Sequence, residues 1–131
     1  MQARVAFSTS VPDTTIVLKL IDIYPDGYHA LVRETAGMAR YHGGRARPGT
    51  PVKPGKEYTL DLDMGSTAYA FAKGHRLGVL ITGSSDPAYQ VHPNSFEPVQ
   101  SLEGAPVAET KIHLGPEGTT ITLPRVDDDG L

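Results

Sequence analysis

The stretch Ser10-Val11-Pro12-Asp13-Thr14-Thr15-Ile16-Val17-Leu18-Lys19-Leu20-Ile21-Asp22-Ile23-Tyr24-Pro25-Asp26-Gly27 contains a turn, a long apolar strand and a second, sharper turn. Successive residues of a strand point to opposite faces, and here both faces are mostly apolar. The strand is therefore expected to be covered on both sides. In the second turn, proline has its φ already set, aspartate can bond its own backbone, and glycine can take a positive φ. The sequence predicts a hairpin at this point.

Asp22 lies inside the apolar run. An unpaired carboxylate would be costly there, so Asp22 is expected to have a donor such as an arginine, a tyrosine hydroxyl or backbone amides. We interpret it as a structural anchor. The residues expected to act structurally are Asp22, Pro25, Asp26 and Gly27, with Gly74 and Arg76 from the turn that opens a later strand.

Length and composition limit the possible functions. The 131 residues suit one domain, expected over 1–124, followed by an acidic disordered tail over 125–131. Charged residues are 21% and the net charge is -3, which disfavours binding to nucleic acid or to an anionic membrane surface. No apolar run approaches the roughly 20 residues of a membrane span. The chain has no cysteine, so disulfides, thiolate nucleophiles and Cys-ligated zinc are excluded, and a reducing, cytoplasmic compartment is expected.

The pattern along the chain is that of an all-β protein. Fourteen glycines and eleven prolines are spread between short apolar or alternating segments. Two antiparallel sheets packed as a jelly-roll β-sandwich would bury such strands. The segment 76–82 is the more apolar, so it is expected nearer the middle of a sheet. The predicted strands are 3–9, 15–24, 28–33, 38–42, 57–64, 67–72, 76–82, 107–114 and 118–123.

No residue pattern predicts a catalytic or metal site. Gly83-Ser84-Ser85-Asp86-Pro87 comes closest to a nucleophile elbow but has proline where the second glycine is needed. The histidines show no H-x-H or H-E-x-x-H spacing, so no metal ligand and no cofactor is predicted. Asp61 and Asp63 share one face of an alternating strand. They could suit Ca²⁺ or a glycosidase pair, but are more simply its solvent face.

Six landmarks in order along the chain carry a family resemblance. They are Pro12-Asp13-Thr14, Ile21 through Gly27, Met38-Ala39-Arg40-Tyr41, Val52 through Tyr58, Phe71 through Leu77, and Ser84-Ser85 followed by His92-Pro93-Asn94-Ser95. With these landmarks the sequence resembles the C-terminal non-catalytic domain of the X-Pro dipeptidyl-peptidase and cocaine esterase family of serine hydrolases.

The resemblance implies a galactose-binding-domain-like jelly roll that packs on an α/β-hydrolase domain. The Ser-His-Asp triad of that family lies upstream, so no catalytic residue is assigned to any position of this chain. The family domain also begins with one further strand. Without that strand a sheet edge would be unpaired, and self-association could follow. The chain departs from the family at Gln90, Val91 and His92, where relatives usually carry an acidic residue, a basic residue and asparagine.

The long loop 83–106 carries the remaining candidates. Loops of this length inside a compact domain are usually functional or packed against a partner. We predict that Asp86, Tyr89, His92 and Asn94 lie on an interdomain or ligand-facing loop. The alternative is an independent carbohydrate-binding module, since jelly rolls can bind sugars on aromatic platforms, although the absence of tryptophan counts against it. A free-standing enzyme using Asp61 and Asp63 is the third hypothesis.

Overall fold

The computed structural model describes residues 1–44, 48–85, 91–96 and 105–125. This part of the chain consists of β-strands and one 3₁₀ turn. The strands are β1 (Gln2–Thr9), β2 (Thr15–Ile23), β3 (His29–Met38), β4 (Tyr58–Asp63), β5 (Arg76–Thr82), β6 (Thr110–Ile112) and β7 (Thr120–Thr122), and the 3₁₀ turn is Ala39–Tyr41. The described residues include no helix with the length and apolar character that crossing a membrane requires.

The strands form two antiparallel sheets. Sheet A has the order β4-β1-β6, and β7 also pairs with β1. Sheet B has the order β3-β2-β5. The register of β3 on β2 shifts between Leu20 and Ile21, which is a β-bulge. The predicted all-β sandwich of two antiparallel sheets is thus confirmed.

The core lies between the two sheets. Alternate residues of β1 and β2 point into it, among them Val5, Phe7, Ile16 and Leu18, each at most 2% exposed. Leu62 of β4, an edge strand of sheet A, also packs in this core. Burying a large apolar side chain is worth about 1.5–3 kcal/mol, so these residues supply most of the force that holds the sheets together.

Three strand predictions need correction. Strand β3 runs without a break through the predicted gap at 34–37, because Glu34 to Gly37 stay paired with β2. The segment predicted to continue as a strand at 38–42 folds instead into the 3₁₀ turn. Residues 67–72 form no strand; most of them are exposed to solvent, and the Tyr69 hydroxyl bonds Asp22, as described below.

The position of β5 also differs from the prediction. Within the described residues it is the last strand of sheet B and pairs only with β2. Its sequence, Arg-Leu-Gly-Val-Leu-Ile-Thr, is that of a strand covered on both faces. An edge strand with the composition of a central strand marks a surface that the described residues leave partly uncovered.

Candidate functional site

Two buried carboxylates, Asp13 and Asp22, organise the polar groups of the domain. Asp13 lies in the turn between β1 and β2, and Asp22 lies near the end of β2. Asp13 is fully buried and Asp22 is 2% exposed. A buried charge must be paired and hydrogen-bonded, so the partners of each carboxylate show what it does.

Asp13 is bound by three donors. Its Oδ1 accepts the backbone N–H of Arg40 at 2.8 Å, and its Oδ2 accepts from Arg40 Nε at 2.6 Å and from His92 Nε2 at 2.9 Å. Burial opposes ionisation of Asp13, but the hydrogen bonds from His92 and Arg40 outweigh it and hold the pKa of Asp13 below its usual value. The carboxylate therefore stays ionised and fully engaged.

His92 and Asn94 extend this network into the long loop. The backbone N–H of Asn94 donates to His92 Nδ1 at 2.8 Å, which leaves the imidazole proton on Nε2, toward Asp13. Asn94 has a φ of 60° and is fixed by Thr14, whose hydroxyl donates to Oδ1 at 2.7 Å, and by the carbonyl of Pro106 at 2.9 Å. We call Asp13, Arg40, His92 and Asn94 the Asp13 latch. It ties the loop segment 91–96 to the start of β2.

Arg40 also contacts Phe96, at the end of the loop segment 91–96. Its guanidinium lies over the ring of Phe96, 4.7 Å from the centroid, and its Nη2 donates to the Phe96 carbonyl at 3.3 Å. Such a cation–π contact adds about 0.5–1 kcal/mol at a partly exposed site. Arg40 thus joins the 3₁₀ turn, Asp13 and the loop in a single contact region.

Asp22 is bound by two aromatic side chains, Tyr69 and His75. The Tyr69 hydroxyl donates to Oδ2 at 2.5 Å, and His75 Nδ1 lies 2.8 Å from Oδ1. Burial disfavours the charge on Asp22, but the bonds from Tyr69 and His75 prevail and its pKa is lowered. The bond to Asp22, together with burial, raises the pKa of Tyr69 to about 12. A tyrosine hydroxyl is thus one of the donors that the sequence required.

The predicted hairpin residues lie beside Asp22. Gly27 has a φ of 90° and donates its N–H to the Tyr24 carbonyl at 2.9 Å, while Asp26 Oδ1 accepts the Tyr28 N–H at 3.0 Å. Tyr24 then packs on the ring of His75, with centroids 4.3 Å apart. The hairpin is in this way fastened to the turn before β5.

Pro25, Gly74 and Arg76 complete the predicted structural set. Pro25 lies against the turn at Gly74, which has a φ of 84°. Arg76 opens β5 and pairs with Ile23, on the face of sheet B away from the core. The structural roles assigned to the set stay predictions, but the structure places all six residues at one end of sheet B.

The four loop candidates divide into two pairs. His92 and Asn94 belong to the Asp13 latch, and the His92 side chain is 1% exposed, so it points into the domain. Asp86 and Tyr89 lie outside the described residues. The interdomain or ligand-facing role of this loop stays a prediction.

Sequence reasoning missed the pairing within each network. The landmarks Pro12-Asp13-Thr14 and Met38 to Tyr41 each contain one member of the latch and His92-Pro93-Asn94 contains two, yet their contact was not foreseen. The signal was available, since each landmark holds one ionisable side chain. Tyr69 and His75 as partners of Asp22 had no comparable signal.

The other chemical candidates lie on the surface. Asp61 bonds Arg4 at 2.8 Å, and both side chains are more than 60% exposed. Asp63 accepts the backbone N–H of Gly65 at 2.7 Å and is exposed too. No enclosed cleft for a carboxylate pair therefore exists at Asp61 and Asp63, and the hypothesis of an enzyme using them is wrong. Over the described ranges, no cluster of three or more His, Asp or Glu could hold a metal ion.

Ser8 and His113 form a serine–histidine contact. Ser8 Oγ and His113 Nε2 lie 3.2 Å apart. A nucleophilic serine needs its histidine oriented by a third group and an oxyanion site beside it. No carboxylate among the described residues bonds the His113 ring, so the contact is a structural hydrogen bond.

Comparison with known families gives the family of this chain. Residues 1–121 match the family described as "X-Pro dipeptidyl-peptidase C-terminal non-catalytic domain". The chain belongs to this family. The match spans both sheets and both buried carboxylates, and it confirms the resemblance read from the landmarks.

Individual relatives agree with the family. The chain is 32% identical over 127 residues to the cocaine esterase of Rhodococcus sp. (strain MB1 Bresler), which covers 95% of this chain and 22% of that protein. It is 34% identical over 76 residues to a Streptomyces avermitilis protein that carries the name of a Xaa-Pro dipeptidyl-peptidase, covering 58% of this chain and 11% of that protein.

A solved structure gives the same result for the fold. The crystal structure of an aminopeptidase from a marine sediment archaeon, Thaumarchaeota archaeon, superposes with a TM-score of 0.72 and 28% identity, covering 86% of this chain and 20% of that one. The chain thus spans about a fifth of the length of the esterase and of the aminopeptidase.

Proposed function

We propose that this chain is the non-catalytic domain of a longer X-Pro dipeptidyl-peptidase-like or acyl esterase-like serine hydrolase. In that protein it packs on the α/β-hydrolase domain and supports stability and substrate access. The observation that carries the proposal is the family match over residues 1–121.

The polar interior of the domain supports a structural role. Each buried carboxylate has both oxygens occupied by donors from other parts of the chain. A general base must reach the proton of a substrate, and both carboxylates are instead buried in the domain and bonded to its own side chains. Both networks instead fix loops to strands, which is what a rigid support for a neighbouring domain requires.

The first test asks whether the chain has chemistry of its own. The isolated chain is assayed on aminoacyl-proline amides and on simple acyl esters, with Ser8→Ala as the matched variant for the Ser8–His113 contact. We expect no turnover above background in either protein. Robust turnover that a single substitution in this chain abolishes would contradict the proposal.

The second test asks whether the chain supports a hydrolase. A chimera is made in which this chain replaces the matching 127 residues of the Rhodococcus cocaine esterase. We expect the chimera to keep ester hydrolysis after heating that inactivates the esterase lacking those residues. A chimera no more heat-resistant than the shortened esterase would overturn the supporting role.

A further inference from the structure

The two sheets present very different outer faces. The outer face of sheet A is mostly polar, with the apolar Ala6 buried on it. Its polar residues include Gln2, Arg4, Thr59, Asp61, Asp63, Thr120 and Thr122. The outer face of sheet B is mostly apolar. Its residues include Lys19, Ile21 and Ile23 of β2, with Leu31, Glu34, Gly78 and Leu80 of the flanking strands. Arg76 lies exposed at one end of this face, and Val17, on the same side of β2, is fully buried within the domain.

The pairing register fixes which side chains share the outer face of sheet B. Leu31 lies directly opposite Ile21, and Leu80 lies directly opposite Lys19. Directly paired residues of antiparallel strands point to the same face. Leu18 and Leu20, the neighbours of Lys19 along β2, point into the core. Leu31 and Leu80 therefore point away from the core, and they are 55% and 48% exposed.

Gly78 makes this face smooth. A Cβ at Gly78 would lie 2.7 Å from Ile23 Cδ1 and 2.8 Å from Ile21 Cγ1. The two isoleucine side chains thus lean over the backbone of β5 and fill the space of a missing side chain. The result is a continuous apolar surface from Leu31 across β2 to Leu80.

Two of the charges on this face neutralise each other, and Arg76 lies exposed at one end of it. Lys19 Nζ lies 3.7 Å from Glu34 Oε2, and their side chains are only 24% and 18% exposed. Ser85 donates its hydroxyl to the same Glu34 oxygen at 3.2 Å. A face whose middle carries one internally paired couple of charges among exposed aliphatic groups, with a cation at its end, has the composition of an interface with an apolar centre and a polar rim.

The edge strand β5 also has exposed apolar residues. Leu77 and Val79 of β5 lie on the inner side of sheet B, yet they are 46% and 38% exposed. Beyond them the described part of sheet B has no further strand. Natural edge strands carry charges, prolines or bulges that prevent pairing; β5 has one charge, Arg76 at its first residue, and none of these features from Leu77 to Thr82. Exposed apolar groups therefore occur on both faces of a strand that has a free edge.

We propose that the outer face of sheet B, with the β5 edge, is the surface that docks on the catalytic portion of the longer hydrolase, while the outer face of sheet A stays in water. This inference rests on the proposed function. The occupant follows from the relatives, in which about four-fifths of the polypeptide lies outside the region that this chain matches. That remainder is long enough to supply a large covering surface.

A charge placed on either face tests the assignment. In the esterase chimera, Leu80→Glu puts a carboxylate opposite Lys19 on sheet B, and Thr120→Glu puts one opposite Arg4 on sheet A. Each new charge faces an existing cation, so both variants are compatible with their own sheet. A second matched pair is Leu31→Lys on sheet B and Thr59→Lys on sheet A, both at exposed strand positions.

The readout is the half-life of ester hydrolysis at a temperature where the wild-type chimera loses activity slowly. Leu80→Glu and Leu31→Lys are expected to shorten the half-life about tenfold or more, because a charge would be buried in the docked state. Thr120→Glu and Thr59→Lys should leave it within about twofold. Thermal unfolding of the four isolated chains shows whether each variant folds as the wild type does.

The outcomes separate the two proposals. A stable wild-type chimera in which the sheet B and sheet A variants behave alike would overturn the docking face and leave the supporting role intact. A wild-type chimera no more stable than the shortened esterase would overturn the supporting role itself. If the isolated chain forms a dimer that Leu80→Glu dissociates, the occupant is a second copy and the docking assignment is wrong.

Discussion

The outer faces of the two sheets differ in how they meet solvent. Each carries one ion pair, but Arg4 and Asp61 on sheet A are more than 60% exposed, whereas Lys19 and Glu34 on sheet B are less than 25% exposed. Around the first pair lie threonines and aspartates, and around the second lie leucines and isoleucines. A charged, hydrated face needs no partner, while an apolar face with half-buried charges costs free energy until something covers it.

The strongest way to break this contrast is to compare leucines on opposite faces of sheet B. Leu18→Ala empties a fully buried core position and should lower the free energy of unfolding by about 2–5 kcal/mol. Leu80→Ala removes an exposed side chain and should cost well under about 1 kcal/mol in the isolated chain. Urea unfolding followed by circular dichroism measures both. Equal losses would show that Leu80 belongs to the core of this domain.

The Asp13 latch offers the next largest effect, because it lies in the interior and belongs to neither face. Asp13→Asn leaves the guanidinium of Arg40 without its counter-charge and should cost about 1.5–3 kcal/mol at pH 7.

This cost should depend on pH. The pKa of Asp13 is lowered in the folded protein, so its contribution is complete above the unfolded carboxyl pKa of about 4 and is lost as pH falls through the lower folded value. The difference in unfolding free energy between wild type and Asp13→Asn, measured by urea titration from pH 7 to pH 3, should therefore shrink toward acid. A constant difference would contradict a charged latch.

A substitution at Gly78 tests how the apolar side chains pack on the outer face of sheet B. Gly78→Ala places a methyl group against the two isoleucines that lean over β5, and the resulting overpacking should cost about 1–3 kcal/mol. Thermal unfolding of the isolated chain gives the size of the loss. Gly43→Ala is the control, since nothing lies within 4 Å of a Cβ there. If the two variants unfold alike, the isoleucines do not fill the place of a side chain at Gly78.

The smallest effect is expected on sheet A. Arg4→Ala breaks the exposed pair with Asp61 and should change the unfolding free energy by no more than about 1 kcal/mol, less in high salt. Urea unfolding at low and at high NaCl concentration tests this. A large, salt-independent loss would mean that this face is covered, contrary to the assignment.

Local chemistry explains why part of the fold could be predicted. Strand β2 and its hairpin follow from alternation and from the Pro-Asp-Gly turn, and the structure has both. Strand β4 alternates buried Leu60 and Leu62 with exposed polar residues, as its sequence indicates. These features depend on neighbours in sequence, where periodicity and turn residues are informative.

Features that depend on distant neighbours could not be predicted in this way. Residues 67–72 have the residue types of a strand, but Tyr69 bonds Asp22, 47 positions earlier, instead of a ladder partner. The latch joins Asp13 to His92, 79 positions away. The place of β5 at an edge depends on which strands are present beside it, and its own residues indicate only that it should be covered.

The most direct test of the central claim is to measure which leucines become covered in a hydrolase. The isolated chain and the esterase chimera are oxidised with hydroxyl radicals, and modification is quantified at Leu31 and Leu80, with Leu114 as the control. Leu114 is 78% exposed in the loop between β6 and β7, on the side of sheet A. The account predicts that Leu31 and Leu80 are modified several-fold less in the chimera while Leu114 is unchanged. Protection of Leu114 alone, or no protection of Leu31 and Leu80, would contradict it.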